Sequence, residues 1–177
     1  VLARLLSPDE YAVMAVVAPV IALAHMVQHV GFAGAIIQAT ELDKGQINLL
    51  FLIAIAVSIL TTLAIIVAAP PIAIWFKEPR LGPALTAGSL AIITAALATV
   101  PGALLMRQLR FRALALRSML ATTLGVATSI GLAFLTHSYW ALIAGMIVGH
   151  MTLCVLSLAM VDWRPGRPGQ LTGAKPL

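Results

Sequence analysis

The longest stretch without a charged side chain, from Ser118 to Val161, restricts the possible folds of this chain more than any other feature. It holds 44 residues without Asp, Glu, Lys or Arg. A helix of that length would extend about 66 Å, whereas roughly 20 helical residues already cross the hydrocarbon core of a bilayer. The stretch must therefore turn back on itself. The polar cluster Thr136-His137-Ser138 is where we expect the turn.

Three further charge-free runs precede it, from Tyr11 to Gln38, from Gln46 to Phe76 and from Leu81 to Met106. All are continuously apolar and lack the alternation of membrane β-barrel strands, which favours helices. The sequence therefore predicts an all-α, polytopic membrane helix bundle with about five transmembrane helices. The predicted spans are about 11–36, 47–70, 82–105, 114–135 and 139–161.

Composition excludes the soluble and disordered classes. Hydrophobic residues make up 61% of the 177 residues and charged residues only 10%, against about 25% charged in soluble domains. Disorder requires low hydrophobicity. The net charge of +5 is not taken as a sign of nucleic-acid binding, because Lys and Arg in a membrane protein mainly mark cytoplasmic loops.

The distribution of Lys and Arg predicts the orientation. One side of the bundle holds eight of them and the other side holds three. The richer side, which we expect to face the cytoplasm, carries Lys44, Arg107, Arg110, Arg112, Arg117, Arg164, Arg167 and Lys175. The N-terminus would then lie outside, so we expect one more helix before Val1. Residues 1–162 form the predicted bundle, and residues 163–177 a flexible cytoplasmic tail.

Polar residues inside the spans are candidates for a functional cavity, because they are costly in lipid. His25, Gln28 and His29 stand at i, i+3 and i+4 and so share one helix face. That face either lines a hydrated cavity or makes hydrogen bonds to neighbouring helices. In the first case, His25 and His29 could together take up one proton and link transport to pH.

The last span contains a glycine motif and, directly after it, a histidine. Gly145 and Gly149 form a G-x-x-x-G motif, which predicts close helix packing. His150 follows directly and is a further candidate for the cavity.

Four arginines between two spans form the second candidate site. Arg107, Arg110, Arg112 and Arg117 lie in a predicted loop at 106–117. They either anchor the chain on anionic phospholipids or capture an anionic head group such as a pyrophosphate, and the two roles are compatible.

No motif of enzymatic chemistry is present. The sequence has no Walker A loop, no H-E-x-x-H and no pair of carboxylates within a span. We therefore expect a carrier that is not an enzyme, with no catalytic residues, no cofactor and no metal site.

Several segments resemble one transporter family, in the same order along the chain. These are Ala3-Arg-Leu-Leu-Ser-Pro-Asp-Glu-Tyr11, Gly31-Phe-Ala-Gly-Ala-Ile-Ile-Gln38, Phe76-Lys-Glu-Pro79, Pro101-Gly-Ala-Leu-Leu-Met-Arg-Gln-Leu-Arg-Phe111, Tyr139-Trp-Ala-Leu-Ile-Ala-Gly145 and Trp163-Arg-Pro165. They are similar to segments of bacterial polysaccharide and lipopolysaccharide exporters, the Wzx-like oligosaccharide flippases of the multidrug/oligosaccharidyl-lipid/polysaccharide (MOP) superfamily.

The resemblance implies helices two to six of the first lobe of a two-lobe transporter in the bacterial inner membrane. Its implied substrate is an undecaprenyl-pyrophosphate-linked oligosaccharide, and its implied partners are the second lobe or polysaccharide assembly proteins. Three alternatives remain: a multidrug antiporter of the same superfamily, a polymerase or ligase of polysaccharide assembly, and a non-functional truncated copy.

Overall fold

The computed structural model describes residues 7–38 and 44–164, with only the backbone for residues 27–38 and for residue 44. The described residues form five α-helices and no strand. The helices are α1 (Pro8–Gln38), α2 (Lys44–Trp75), α3 (Leu81–Arg107), α4 (Phe111–Thr136) and α5 (Trp140–Met160).

Each of these helices has a segment long and apolar enough to cross a membrane. The all-α class and the number of helices are therefore confirmed. Because successive helices run in opposite directions, α1, α3 and α5 all begin at one end of the bundle. We call it the Glu10 end, and the opposite end, where α3 finishes, the Arg107 end.

The double proline in α2 does not end the helix. The predicted span ended at about residue 70, but α2 continues through Pro70-Pro71 to Trp75. Ala69 belongs to the buried core, and Ile72 and Ala73 pack against that core. Packing on both sides of the prolines stabilises the last turn despite the two backbone hydrogen bonds that proline cannot donate.

Three short turns connect α2 to α5 in the same way. Each contains a residue with positive φ: Lys77 at 53°, Leu109 at 55° and His137 at 49°. Beyond Lys77 and Leu109, the amides of Glu78 and Arg110 donate to the carbonyls of Ala73 and Leu105, five residues back. This is the left-handed ending that closes many helices. The expected turn at 136–138 is confirmed, because α4 ends at Thr136 and His137 caps it.

Helix α3 is the central element of the bundle. It packs against α1, α2 and α5, whereas α4 packs mainly against α5. Near the Glu10 end, the core includes Val17 of α1, Leu85 of α3 and Ile143 of α5. Near the Arg107 end, a second cluster joins Phe51 of α2 to Leu105 of α3.

The two glycines of the G-x-x-x-G motif bring α4 and α5 into close contact, as predicted. A Cβ atom added to Gly145 would lie 2.5 Å from the carbonyl oxygen of Gly125 and would also overlap Ser129 Oγ. A Cβ on Gly149 would lie 3.3 Å from the carbonyl oxygen of Ala121. The contacting residues of α4 are thus small and four positions apart, the arrangement typical of close helix pairs in membranes.

The predicted tail begins beside the bundle. The rings of Trp163 and Phe51 lie 5.3 Å apart, edge to face. Residues 165–177, which make up most of that tail, lie outside the described residues, so its predicted flexibility stays a prediction.

Candidate functional site

A cavity of about 240 Å³ lies inside the bundle, between α1, α3, α4 and α5. Its polar lining comes from His25, Thr99, Arg117 and His150, one residue from each of the four helices. The remaining lining is apolar: Ala95, Ala98, Gly102, Ala103, Met106, Leu114 and Leu153. Because Arg117 follows the start of α4 by six residues, it lies about 9 Å along the helix from the Arg107 end.

Arg117 is the charged residue of this cavity. Its Nη1 donates a hydrogen bond to Ser157 Oγ at 2.6 Å, and Ser157 in turn donates to the carbonyl of Leu153. Its Nε is buried and has no hydrogen-bond partner within the described part of the chain. No carboxylate among the described residues forms an ion pair with it. A guanidinium with spare donors and no counter-charge is suited to bind an anion.

The approach of Arg117 to α3 depends on Gly102. A Cβ atom at Gly102 would lie 2.8 Å from both terminal nitrogens of Arg117. The missing side chain therefore leaves the space that the guanidinium occupies. Gly102 lies in one of the segments that carry the family resemblance, but its sequence position gave no reason to assign it to a site.

Two histidines from different helices meet at the same cavity. The ring centroids of His25 and His150 lie 4.8 Å apart, with an angle of 74° between the ring planes. His150 Nδ1 lies 2.8 Å from the carbonyl oxygen of Met146. A carbonyl oxygen only accepts, so this contact places the ring hydrogen on Nδ1.

The structure shows a histidine neighbour of His25 that the helical spacing did not suggest. The sequence analysis paired His25 with His29, and the observed neighbour of His25 is His150. The backbone of α1 includes Gln28 and His29, but their side chains lie outside the described residues, so their predicted role in the cavity stays a prediction.

The predicted arginine loop is wrong in its extent. Only residues 108–110 connect α3 to α4, because α3 continues to Arg107 and α4 already begins at Phe111. Arg112 and Arg117 are therefore helical, and only Arg117 lines the cavity. Leu116 and Met119 beside Arg117 are apolar and exposed, so in a bilayer they would face lipid, where a helix satisfies every backbone group and a loop does not.

The other three arginines stay near the Arg107 end. Arg110 Nη1 donates to the carbonyl oxygen of Met160 at 2.7 Å and so caps the end of α5. Arg112 is exposed, and Arg107 is half-buried in the last turn of α3.

A larger and more open groove of about 570 Å³ adjoins the cavity. It runs mainly along α4 and α5 and shares His150 and Leu153 with the cavity. Most of its lining is apolar or small, including Gly125, Val126 and Leu142.

Sequence reasoning missed Thr99 and Gly102 at the cavity. The Thr99 hydroxyl donates back to the carbonyl of Ala95 within its own helix. A threonine and a glycine in an apolar helix are common, so neither carried a signal of function. The sequence signal for this cavity was the position of Arg117. It follows Arg112 by five residues and so lies apart from the other three arginines, inside an apolar run.

Comparison with known proteins identifies the family. The profile of the family "Polysaccharide biosynthesis protein" matches residues 1–177. The chain is also 29% identical over 148 residues to the succinoglycan biosynthesis transport protein ExoT of Rhizobium meliloti (strain 1021). The match covers 84% of this chain and 30% of that relative, so the chain spans about a third of the relative's length. No solved structure matches the chain significantly. With its apolar helices and a transport protein among its relatives, the chain is a multi-pass membrane protein that belongs to the polysaccharide biosynthesis protein family.

Proposed function

We propose that this chain is part of a flippase that moves a lipid-linked oligosaccharide across the bacterial inner membrane. The substrate class is a sugar chain on undecaprenyl pyrophosphate, delivered from the cytoplasmic to the periplasmic leaflet. Family membership and the transport role named for the relative support the general activity. Such a carrier is needed because the polar groups of a sugar chain are too costly to transfer through lipid unaided.

The observation that carries the proposal is Arg117, a cation inside an apolar bundle. Removing a charge from water costs several kcal/mol even after the protein relaxes. Ser157 compensates one donor of the guanidinium, and no described carboxylate compensates its charge. An anionic ligand in the cavity would accept hydrogen bonds from the guanidinium and compensate its charge. Arginine binds phosphate oxygens through two parallel hydrogen bonds, which suits a pyrophosphate head group.

The size of the cavity restricts which part of the substrate it could hold. At about 240 Å³ it is smaller than the 300–1,000 Å³ typical of sites for drug-sized ligands. It would accept a phosphate group, whereas an oligosaccharide needs more room. The sugar would occupy space completed by the rest of the full-length transporter, of which this chain supplies one part.

The charge of the cavity also separates the proposal from its alternatives. A multidrug antiporter for cationic drugs would favour a carboxylate in the cavity, whereas the described lining contains an arginine and two histidines. For a polymerase or ligase, no observation on the described residues adds support. We propose that Arg107, Arg110 and Arg112 contact anionic phospholipids at the cytoplasmic surface.

The proposal is tested by binding of a pyrophosphate lipid to the chain in nanodiscs. Farnesyl pyrophosphate serves as the probe, and farnesol as the probe without the anion. We expect Arg117→Ala to weaken binding of farnesyl pyrophosphate about 10- to 100-fold, since a charge-assisted hydrogen bond contributes about 1.5–3 kcal/mol. Arg117→Lys should restore only part of this affinity, because lysine lacks the planar fork.

The matched control is Arg112→Ala, because Arg112 is exposed on the same helix. It should leave the affinity for farnesyl pyrophosphate within about twofold, because substitutions at exposed positions usually have little effect. Equal affinity in the native chain, Arg117→Ala and Arg112→Ala would exclude the head-group role of the cavity.

A further inference from the structure

The Glu10 side chain joins three parts of the chain at the Glu10 end. One carboxylate oxygen lies 2.9 Å from Arg80 Nη1, in the turn between α2 and α3. The other accepts a hydrogen bond from the Tyr139 amide at 2.6 Å, and the Ser138 hydroxyl lies 3.4 Å away. The side chain of Glu10 is only 17% exposed, so water screens these contacts weakly.

The position of this carboxylate matches the electrostatics of the helices around it. Glu10 lies in the first turn of α1, Arg80 directly precedes α3, and Tyr139 directly precedes α5. A helix N-terminus carries a partial positive charge and unpaired amides. One negative charge therefore interacts with the beginnings of three helices. Its loss would leave the Tyr139 amide without this acceptor and Arg80 paired with Glu78 alone.

Arg80 is itself held in place by a second carboxylate. Its Nε and Nη2 donate to the two oxygens of Glu78, at 2.8 and 3.1 Å. These hydrogen bonds hold the pKa of the Glu78 carboxyl below its ordinary value, so the pair stays ionised at neutral pH. Arg80 is thus fixed in position to meet Glu10.

Between α1, α3 and α5, the region from Glu10 to the cavity is tightly packed. Val17, Leu85 and Ile143, from the three helices that Glu10 connects, are at most 1% exposed. The cavity around Arg117 begins beyond this apolar layer and lies toward the Arg107 end. Separation of α1, α3 and α5 at their beginnings would open the apolar layer to water.

We propose that Glu10 is a latch that holds the beginnings of α1, α3 and α5 together and keeps the cavity closed toward the Glu10 end. Glu10, Glu78 and Tyr139 belong to three of the segments that resemble the exporter family, although those segments lie far apart in the sequence. The latch brings them together in one cluster. The inference concerns water access to the cavity and does not depend on which ligand binds there.

The test measures from which side a cysteine in the cavity reacts. In a Cys154→Ala background, Thr99→Cys places a thiol in the cavity lining. The chain is reconstituted in vesicles, and a membrane-impermeant methanethiosulfonate reagent with a sulfonate group is added to one side at a time. Exposed Arg112→Cys, in a separate sample, reports which side holds the Arg107 end.

With Glu10 intact, we expect the thiol at position 99 to react from the Arg107 side only. Glu10→Gln removes the charge that pairs with Arg80, and the rate from the Glu10 side should rise at least about tenfold, which corresponds to 1.4 kcal/mol. Asp9→Asn is the matched control. Asp9 neighbours Glu10 and is exposed, so its replacement should leave the rate unchanged.

Arg80→Gln is the second variant, in case Glu10→Gln does not fold. It removes the ion pair but leaves the bond from Tyr139 to Glu10, and we expect an intermediate rate. If Glu10→Gln and Arg80→Gln both react at the rate of the native chain, or if the native chain already reacts from the Glu10 side, the latch is refuted. Neither result would affect binding of pyrophosphate lipid at Arg117, so the two proposals fail separately.

Discussion

At the scale of single residues, the cavity depends on contacts between amino acids that lie far apart in the sequence. The i, i+4 spacing of His25 and His29 suggested a pair, and the structure brings His25 to His150, from α5. Helical periodicity states which residues share a face but not which helix that face meets. The contact between His25 and His150 could therefore not be predicted from the spacing, and the role of His29 stays a prediction.

The contact between Gly102 and Arg117 leads to a prediction about ligand binding. In Gly102→Ala the new methyl group would overlap the guanidinium, which must move because the helix backbone is the stiffer part. We expect the variant to fold normally and to bind farnesyl pyrophosphate several-fold more weakly, with a loss smaller than that of Arg117→Ala.

The control for this experiment lies on the same helix. A Cβ atom at Gly82 would meet nothing within 4 Å, so Gly82→Ala should bind the probe like the native chain. An unchanged affinity in Gly102→Ala would show that the position of the guanidinium does not matter.

At the scale of helices, the G-x-x-x-G motif predicted a close contact and the structure supplies its partner. The facing surface of α4 consists of Ala121, Gly125 and Ser129, spaced four residues apart. Small residues are common throughout this chain, so a stripe of them in α4 did not stand out in the sequence. Close packing of the two backbones replaces the hydrophobic driving force that is absent between helices in lipid.

This contact predicts a position-specific loss of stability. Gly145→Ala would insert a methyl group between α5 and the backbone of Gly125, which costs about 2 kcal/mol of unfolding free energy if the helices must separate. Unfolding in mixed micelles with increasing dodecyl sulfate measures this change.

Gly131→Ala is the matched substitution on α4. Its new methyl group meets nothing within 4 Å, and alanine favours a helix by up to about 1 kcal/mol over glycine. It should therefore be neutral or slightly stabilising. Equal effects at positions 131 and 145 would mean that helix propensity, and not the contact, determines the result.

At the scale of the whole molecule, the charges of the two ends differ. The described part of the Arg107 end carries Lys44, Arg107, Arg110, Arg112 and Arg164, whereas the described part of the Glu10 end carries Lys77 and Arg80. Both cations of the Glu10 end stand near acidic residues: Arg80 pairs with Glu10 and Glu78, and Lys77 precedes Glu78. The positive-inside rule then predicts that the Arg107 end faces the cytoplasm.

Reporter fusions test this orientation. Green fluorescent protein fused after Arg110 should be fluorescent, and the same reporter fused after Lys77 should be dark. The reason is that green fluorescent protein folds poorly when it is exported unfolded across the membrane. Alkaline phosphatase at the same two positions should show the opposite pattern, and it serves as the control for expression. Fluorescence at Lys77 with active phosphatase at Arg110 would reverse the orientation and the direction proposed for transport.

The sequence by itself determined the helical class, the number of helices and the turn at His137. These follow from the lengths of the apolar runs and from the need to satisfy every backbone group within lipid. It also named His25, Gln28, His29 and His150 as cavity candidates, since polar side chains are conspicuous in such runs, and it placed Arg117 among four loop arginines. Only the tertiary structure decided that Arg117 lies in α4 and lines the cavity, and that the absence of a side chain at Gly102 lets the guanidinium approach α3. The contacts of Glu10 with Arg80 and Tyr139 likewise follow from the tertiary structure alone. The physical reason is that all five helices are apolar on every side, so their sequences contain little information on which faces meet. Packing of small residues and a few polar contacts select the arrangement instead.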